Sequence, residues 1–420
     1  MPGKNVLPAL GRALGALLLA FGIAGAALAQ QPLKIGFGMS LTGPLAGNGK
    51  AALIAMEIWR EDVNAKGGIL GRKVEFVYYD DQTNPSTVPG LYTKLLDVDK
   101  VDLVVSGYGT AVIAPAMPLM MQRNMCFMTL FGLNVNSKFN YDRYFQIMPA
   151  GPEPAVGWTR GFFEAAMSLN PKPKTVALVG ADAEYPHMAL EGARAHVKRL
   201  GLKVVYDKSY PPNTVDYSPI VRAIQATNPD LVYLASYPPD SAGMVRAVNE
   251  VGLRTRMFGG GLVGTQFAAL KTTLGPLLNG VVNYELYAPE LNRKFPFLDE
   301  FLKKYQARAA KEGVDPLGYY LPPYAYAMMQ VVQQAIEGTR GLDQAKLAAY
   351  MHTHTFDTFV GKVGFAKNGE WSEPRVMMVQ YRGIKGNSVD QWKKPGVVTV
   401  LEPGSYKTGS VKTPYQEAKK

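Results

Sequence analysis

Stretches of buried-strand character alternate with helix-forming stretches along nearly the whole chain, and this alternation constrains the fold more than any single motif. Residues 33–41 (LKIGFGMSL) are apolar enough for a strand covered on both faces. The turn Thr42-Gly43-Pro44 follows, and then a helix from about residue 48 to 65 carrying Leu53, Met56, Ile58, Trp59 and Val63. Lys66-Gly67-Gly68 closes it, glycine supplying the left-handed cap. A strand at 73–79, a helix at 87–96, a strand at 101–106, a helix at 111–122 and a strand at 125–130 continue the series. Such repetition predicts a parallel sheet with helices on both faces. The rhythm restarts after Pro149-Ala150-Gly151-Pro152, with strands expected at 175–179, 203–206, 230–235, 257–258 and 280–284. Helices are expected between them at 188–200, 217–226 and 241–251. Two successive α/β units of similar size predict two lobes. Helices at 297–311 and 324–337 and a β segment at 358–380 come next. Beyond Gln380 the chain turns Gly-, Lys- and Pro-rich, which predicts a peripheral strand and a loose tail at 405–420.

Composition removes several classes of function. With 47% hydrophobic and 19% charged residues, the chain is neither disordered nor a coiled coil. A single cysteine, Cys126, excludes an intramolecular disulfide and a cysteine-rich metal centre. The net charge is +11, but its Lys and Arg are dispersed without a long basic block, so nucleic acid is not expected as a partner. Residues 1–29 contain Lys4 and Arg12, no acidic residue, and an apolar stretch ending in Ala27-Leu28-Ala29. A basic start, a greasy middle and a small-residue exit are the parts of a secretory signal peptide, expected to be cut after about Ala29. The uncharged stretch between Asp102 and Arg123 holds Ser106, Gly107, Gly109, Pro115 and Pro118, which suit a strand, a turn and a helix better than a membrane span. The mature chain is expected to be soluble.

Catalytic and cofactor motifs are weak or missing. His352 and His354 would share one side of a strand, but no third ligand at suitable spacing completes a metal site. The hydrolase motif G-x-S-x-G does not occur. Gly36-Phe37-Gly38 lacks the third glycine of a dinucleotide fingerprint, and Gly43 to Lys50 misses phosphate-loop spacing by one residue. Met117, Met120, Met121, Met125 and Met128 fit core packing on a helix and the strand behind it. Neither a cofactor, a metal nor catalysis is expected.

What remains is a set of positions beyond the strand ends, where ligands bind in parallel sheets. They are Asn48, Ser106, Tyr108 and Thr110, then Phe131, Gly132 and Leu133, then Tyr185, Tyr237 and Gly259 to Leu262. Thr110 directly precedes an expected helix, so its hydroxyl is placed to cap it, and the free N–H groups of that first turn suit a carboxylate. The aromatic residues suit a flat or apolar ligand body. Ordinary turn chemistry accounts for the same residue types, and the residues alone leave both readings open.

Three segments carry a family resemblance. They are IGFGMSLTGPLAGNGKAALIAMEIWREDVNAKGGILGRKVEFVYYDD, NPDLVYLASYPPDSAGMVRAVNEVGL and FDTFVGKVGFAKNGE. From about Pro32 to Tyr381 the chain resembles the type I periplasmic solute-binding proteins of the branched-chain amino acid and aromatic acid ABC importers. The resemblance implies two Rossmann-like lobes with parallel-rich sheets, joined by three crossovers near Pro149, Tyr284 and Gly364. Residues 30–149 plus 285–364 would form one lobe and 150–284 plus 365–404 the other. It further implies a periplasmic, monomeric receptor that delivers a small molecule to membrane permease subunits. Thr110 matches the hydroxyl position on the ligand carboxylate, Phe131, Gly132 and Leu133 the next loop, and Tyr185 and Tyr237 the aromatic contacts of the second lobe. Amino-acid binders generally place a hydroxyl where Leu133 stands and a carboxylate where Gly261 stands, to hold the ligand ammonium. The expected ligand is therefore an organic acid with an aromatic or apolar body. The alternatives are an amino acid or amide binder whose acidic partner comes from Asp182 or Glu184, and a dinucleotide-dependent enzyme on the same lobes.

Overall fold

In the computed structural model, which describes residues 1, 31–294 and 298–419, two separate sheets divide the strands. The signal peptide expected over residues 1–29 lies outside the described residues except for Met1. The first sheet has five parallel strands in the order β2-β1-β3-β4-β5. These are β1 (Leu33–Met39), β2 (Val74–Asp80), β3 (Leu103–Tyr108), β4 (Phe127–Leu130) and β5 (Tyr144–Gln146). The second sheet takes β6 (Thr175–Ala181), β7 (Lys203–Tyr210), β8 (Leu231–Ser236), β9 (Met257–Leu262) and β10 (Val282–Glu285), all parallel. After the short hairpin β11 (Phe356–Thr358) and β12 (Gly361–Val363), the antiparallel strands β13 (Met377–Tyr381) and β14 (Val398–Glu402) extend its edge. The full order is β14-β13-β10-β9-β8-β6-β7. Each sheet reverses its winding direction once, between β1 and β3 and between β6 and β8, and a ligand is expected outside those points.

The central strands are apolar on both faces because helices cover both. Every residue of β3, β8 and β9 is buried. Helix Ala46–Ala65 turns Ala52, Ala55, Met56, Trp59 and Val63 into the first lobe. Helix Leu321–Thr339 returns from far along the chain to pack beside it, where the Trp59 indole N–H donates to Gln333 Oε1 at 3.2 Å. Helix Leu298–Glu312 joins them through Lys304–Asp62 at 3.2 Å and Arg308–Glu61 at 2.8 Å. Four of the five clustered methionines are core residues as expected, and only Met121 reaches the surface.

Several expectations need correction. The helix expected at 111–122 is split into Thr110–Ile113, a 3-10 turn Ala114–Ala116 and Met117–Gln122, because Pro115 and Pro118 interrupt the hydrogen-bond ladder. Gly259, Gly260 and Gly261 do not follow a short strand but form the body of β9. Gly260 has φ +107°, and a Cβ there would stand 2.3 Å from the Tyr233 ring, so the strand admits only glycine at that point. His352 and His354 sit at the end of helix Gln344–Thr353 and not on a strand. His352 Nε2 contacts the Asp142 carbonyl at 2.6 Å, and His354 stacks on Tyr350 at 3.7 Å.

The third crossover comes later than Gly364. Phe365 packs edge-on against Phe145 at 5.1 Å, and the Gln146 N–H donates to the Gly369 carbonyl at 2.9 Å. Residues 365–371 thus stay on the first sheet, and the chain leaves it alongside Pro149, whose carbonyl accepts from the Arg375 N–H at 2.8 Å. The tail at 405–419 is docked and not loose. Tyr415 is buried against Phe258, its N–H donates to the Thr255 carbonyl at 3.0 Å, and Gln380 Nε2 donates to the Lys412 carbonyl at 2.9 Å.

Candidate functional site

The facing strand ends of the two sheets enclose one small, aromatic-lined cavity. Tyr108 closes β3, and Gly109 and Thr110 begin the next turn. Phe131 and Leu133 follow β4, Tyr185 follows β6 and Tyr237 follows β8. All of these except Gly109 are predicted site residues, and all line the cavity. The room left for the centre of a water is ≈ 20 Å³, enough for about one molecule, so the two lobes stand closed on one another.

Thr110 is placed differently from the expectation that its hydroxyl caps the helix. Gly109, at φ +106°, is the capping residue, and no side chain caps this single turn. Instead Thr110 Oγ1 accepts the Leu133 N–H at 3.1 Å, which ties the loop after β4 to the loop after β3 and leaves the hydroxyl proton to donate. The neighbouring residue, Phe131, has φ +63°, a conformation that non-glycine residues rarely hold. Gln146 imposes it. Its Oε1 accepts the Phe131 N–H and its Nε2 donates to the Gly132 carbonyl, both at 2.9 Å. Strain at Phe131 is thereby fixed by a fully buried amide on the adjacent strand, and the ring is aimed into the cleft.

Gly132, Gly261 and Asn48 are predicted site residues that the cavity lining does not include. A Cβ on Gly132 would meet Ile113, Val135 and Gln146 at 3.1 to 3.2 Å, so this residue is glycine for packing behind the loop. Gly261 offers its carbonyl to the Tyr185 hydroxyl at 3.0 Å. The Trp158 indole N–H donates to that same hydroxyl at 3.2 Å, so Tyr185 is spent within the protein and presents its ring. Asn48 is buried beside Tyr108, and its Nδ2 closes no hydrogen bond.

Five lining residues are not among the predicted site residues: Gly109, Met148, Trp158, Val263 and Tyr320. Trp158 lies on helix Pro154–Met167, just past the first crossover, and Tyr320 stands immediately before helix Leu321–Thr339. Neither follows a strand end, and only the aromatic character of the two positions was there to be noticed.

The electrostatics are those of a neutral, dry site. Among the described residues lining the cavity there is no Asp, Glu, Lys, Arg or His. Burial pushes the Tyr108 and Tyr185 phenols well above their usual range, and it raises Tyr237 and Tyr320 as well, so all remain protonated, with the Tyr185 proton already given to Gly261. The acids nearest in sequence to Tyr185 both have partners. Glu184 pairs with Lys138 of the first lobe at 3.4 Å, and Asp182 pairs with His187 at 2.8 Å, all on exposed side chains. Among the described residues no group of three or more His, Cys, Asp or Glu is arranged to hold a metal ion, and no helix is long and apolar enough to cross a membrane.

Comparison with known proteins agrees with this architecture. A family described as periplasmic binding protein matches residues 32–385. An amino acid binding protein of Pseudomonas aeruginosa is 28% identical over 331 residues, covering 77% of this chain and 84% of that protein. Among solved structures, a leucine binding protein from Thermotoga maritima superposes with a TM-score of 0.72 at 19% identity, covering 88% of this chain and 98% of the other. A solute binding protein of an ABC transporter from R. palustris, in complex with benzoate, gives 0.70 at 17% identity, with 88% and 95% covered. Both structures share the fold. The match over residues 32–385, together with the paired parallel sheets closed on a common cleft, establishes that the chain belongs to the type I periplasmic binding proteins of the branched-chain amino acid family, the substrate-binding components of ABC transporters.

Proposed function

We propose that this protein captures a small organic acid with an aromatic or otherwise apolar body, and without an α-ammonium group, between its lobes. It then hands the ligand to the membrane permease subunits of an ABC importer. The observation that carries this reading is the lining of the cleft, which offers hydroxyls, rings and aliphatic groups but no ionised side chain. A carboxylate in such a place is met by neutral donors, the Thr110 hydroxyl and the protonated phenols. An ammonium would be buried without an acidic partner, at a cost of about several kcal/mol. The benzoate complex of the R. palustris neighbour supports an aromatic body. The amino-acid alternative draws on the name of the Pseudomonas relative, but its acidic partners, Asp182 and Glu184, are exposed, lie outside the cavity lining, and contact His187 and Lys138.

In this reading residues 30–149 with 285–371 move as one lobe and residues 150–284 with 372–419 as the other. A ring is larger than the present cavity, so the lobes part to admit it and close again over it. The protein acts in the periplasm as a non-catalytic monomer. A thermal-shift screen of the exported protein with benzoate, cinnamate, butyrate, leucine and phenylalanine tests the proposal. Benzoate or cinnamate should raise the unfolding temperature most. A larger rise with leucine or phenylalanine contradicts it.

A further inference from the structure

Three phenols meet at the inner end of the cleft, each carried by a different part of the fold. Tyr108 ends β3 of the first sheet, Tyr284 lies in β10 of the second, and Tyr320 precedes the long helix that packs on the first lobe. The Tyr320 hydroxyl is 3.2 Å from that of Tyr108 and 3.4 Å from that of Tyr284. Three hydroxyls carry three protons, and two oxygen–oxygen links use two of them. One O–H is therefore left over, whichever way the chain of bonds runs. Tyr108 and Tyr320 line the cavity, whereas Tyr284 lies outside the lining, its ring against Trp158 at 4.4 Å. When Tyr284 donates to Tyr320 and Tyr320 to Tyr108, the spare proton belongs to Tyr108 and faces the ligand space.

We infer that Tyr284, Tyr320 and Tyr108 form a phenol relay that presents one O–H to the ligand carboxylate, with Tyr320 as the positioning residue that ties this donor to the second sheet. This deepens the reading above and rests on a carboxylate occupying the cleft. The Tyr284–Tyr320 link joins the second sheet to an element packed on the first. Successive hydrogen bonds polarise one another, which makes the terminal O–H a better donor than an isolated phenol. A carboxylate only accepts and matches the spare proton, whereas a primary amide brings donors of its own to a place that already holds one. The Tyr320 ring is held independently of its hydroxyl, by edge contacts to Phe131 at 5.5 Å and Phe267 at 5.4 Å. Removing the oxygen therefore leaves the ring in place.

The test is calorimetry of the mature protein and its Tyr320→Phe variant with two matched pairs, benzoate against benzamide and leucine against leucinamide. In the pair whose acid binds the wild type, Tyr320→Phe should lower the preference for acid over amide by about three- to fivefold, since Tyr108 keeps its own O–H and loses only the polarisation and aim that Tyr320 supplies. Tyr284→Phe, which alters no cavity-lining residue, should lower the same preference by a smaller factor. Tyr233→Phe removes a buried hydroxyl that has no hydrogen-bond partner and should leave it unchanged. If Tyr320→Phe weakens acid and amide equally, or changes the preference by less than about twofold, the residue only packs and the relay is overturned. Binding of leucine without benzoate contradicts the proposed ligand class, yet the relay is still read from the leucine pair. A wild type that binds neither acid overturns both.

Discussion

Tyr185 donates its hydroxyl to the Gly261 carbonyl at 3.0 Å, so the second lobe turns this ring, and not its hydroxyl proton, toward the cleft. The space behind that bond is full. A Cβ on Gly261 would lie 3.0 Å from both the Leu234 carbonyl oxygen and the Tyr233 hydroxyl.

Gly261→Ala should accordingly destabilise the fold by about 1–3 kcal/mol through overpacking. Urea unfolding measures this. A change below about 0.5 kcal/mol would mean that β9 yields more easily than its packing indicates.

Gln146→Leu should release the loop after β4. The substitution strands the Phe131 and Met148 N–H groups in a buried setting, each worth about 1–3 kcal/mol. Stability should fall by that order, and ligand affinity should fall with it because Phe131 no longer keeps its left-handed conformation. Unchanged affinity in a folded variant would show that the ring is placed by packing alone.

Glu370 gives a pH signature. It is 1% exposed, neither carboxylate oxygen has a hydrogen-bond partner, and burial raises its pKa well above the ordinary value. The folded state therefore holds this proton more tightly than the unfolded one. Its stabilising contribution is complete below the unfolded carboxylate pKa and is lost as pH rises toward the folded pKa. Glu370→Gln should match the wild type near pH 4 and become the more stable protein above it, the gap widening by up to about 1.4 kcal/mol per pH unit. Denaturant midpoints at several pH values measure the gap, and a constant difference would mean that the carboxyl is solvated.

Much of this architecture was legible in the sequence because parallel strands buried on both faces leave uninterrupted apolar runs, as at 103–108 and 231–236. Strand ends were legible for the same reason, and Tyr108, Thr110, Phe131, Leu133, Tyr185 and Tyr237 followed from them. Trp158 and Tyr320 did not. Trp158 lies on the helix after the first crossover and Tyr320 stands just before a helix, where neither periodicity nor a strand end marks the residue. Gly132 and Gly261 also stand at strand ends, yet neither lines the cavity, and their close neighbours leave no room for a side chain. The tail was misread because one buried tyrosine, Tyr415, anchors a segment whose composition is otherwise that of a loose end.

Thr110→Val separates the structural and the ligand roles of one hydroxyl. Losing the acceptor for the buried Leu133 N–H should cost about 1–3 kcal/mol of stability. Losing the donor should weaken carboxylates while sparing uncharged analogues of the same shape. Calorimetry at a temperature where the variant remains folded reads the second effect, and equal weakening of both ligand types would remove Thr110 from carboxylate recognition.

The central claim is that the cleft takes a carboxylate without an ammonium, and calorimetric titration of the mature protein with 3-phenylpropionate and with phenylalanine tests it most directly. The two ligands share ring, chain and carboxylate and differ only in the α-ammonium. Phenylpropionate should bind more tightly, by at least about tenfold, since the lining holds no carboxylate to pair with a buried ammonium. Tighter binding of phenylalanine would contradict the account and require an acidic partner for the ligand within reach of the closed cleft.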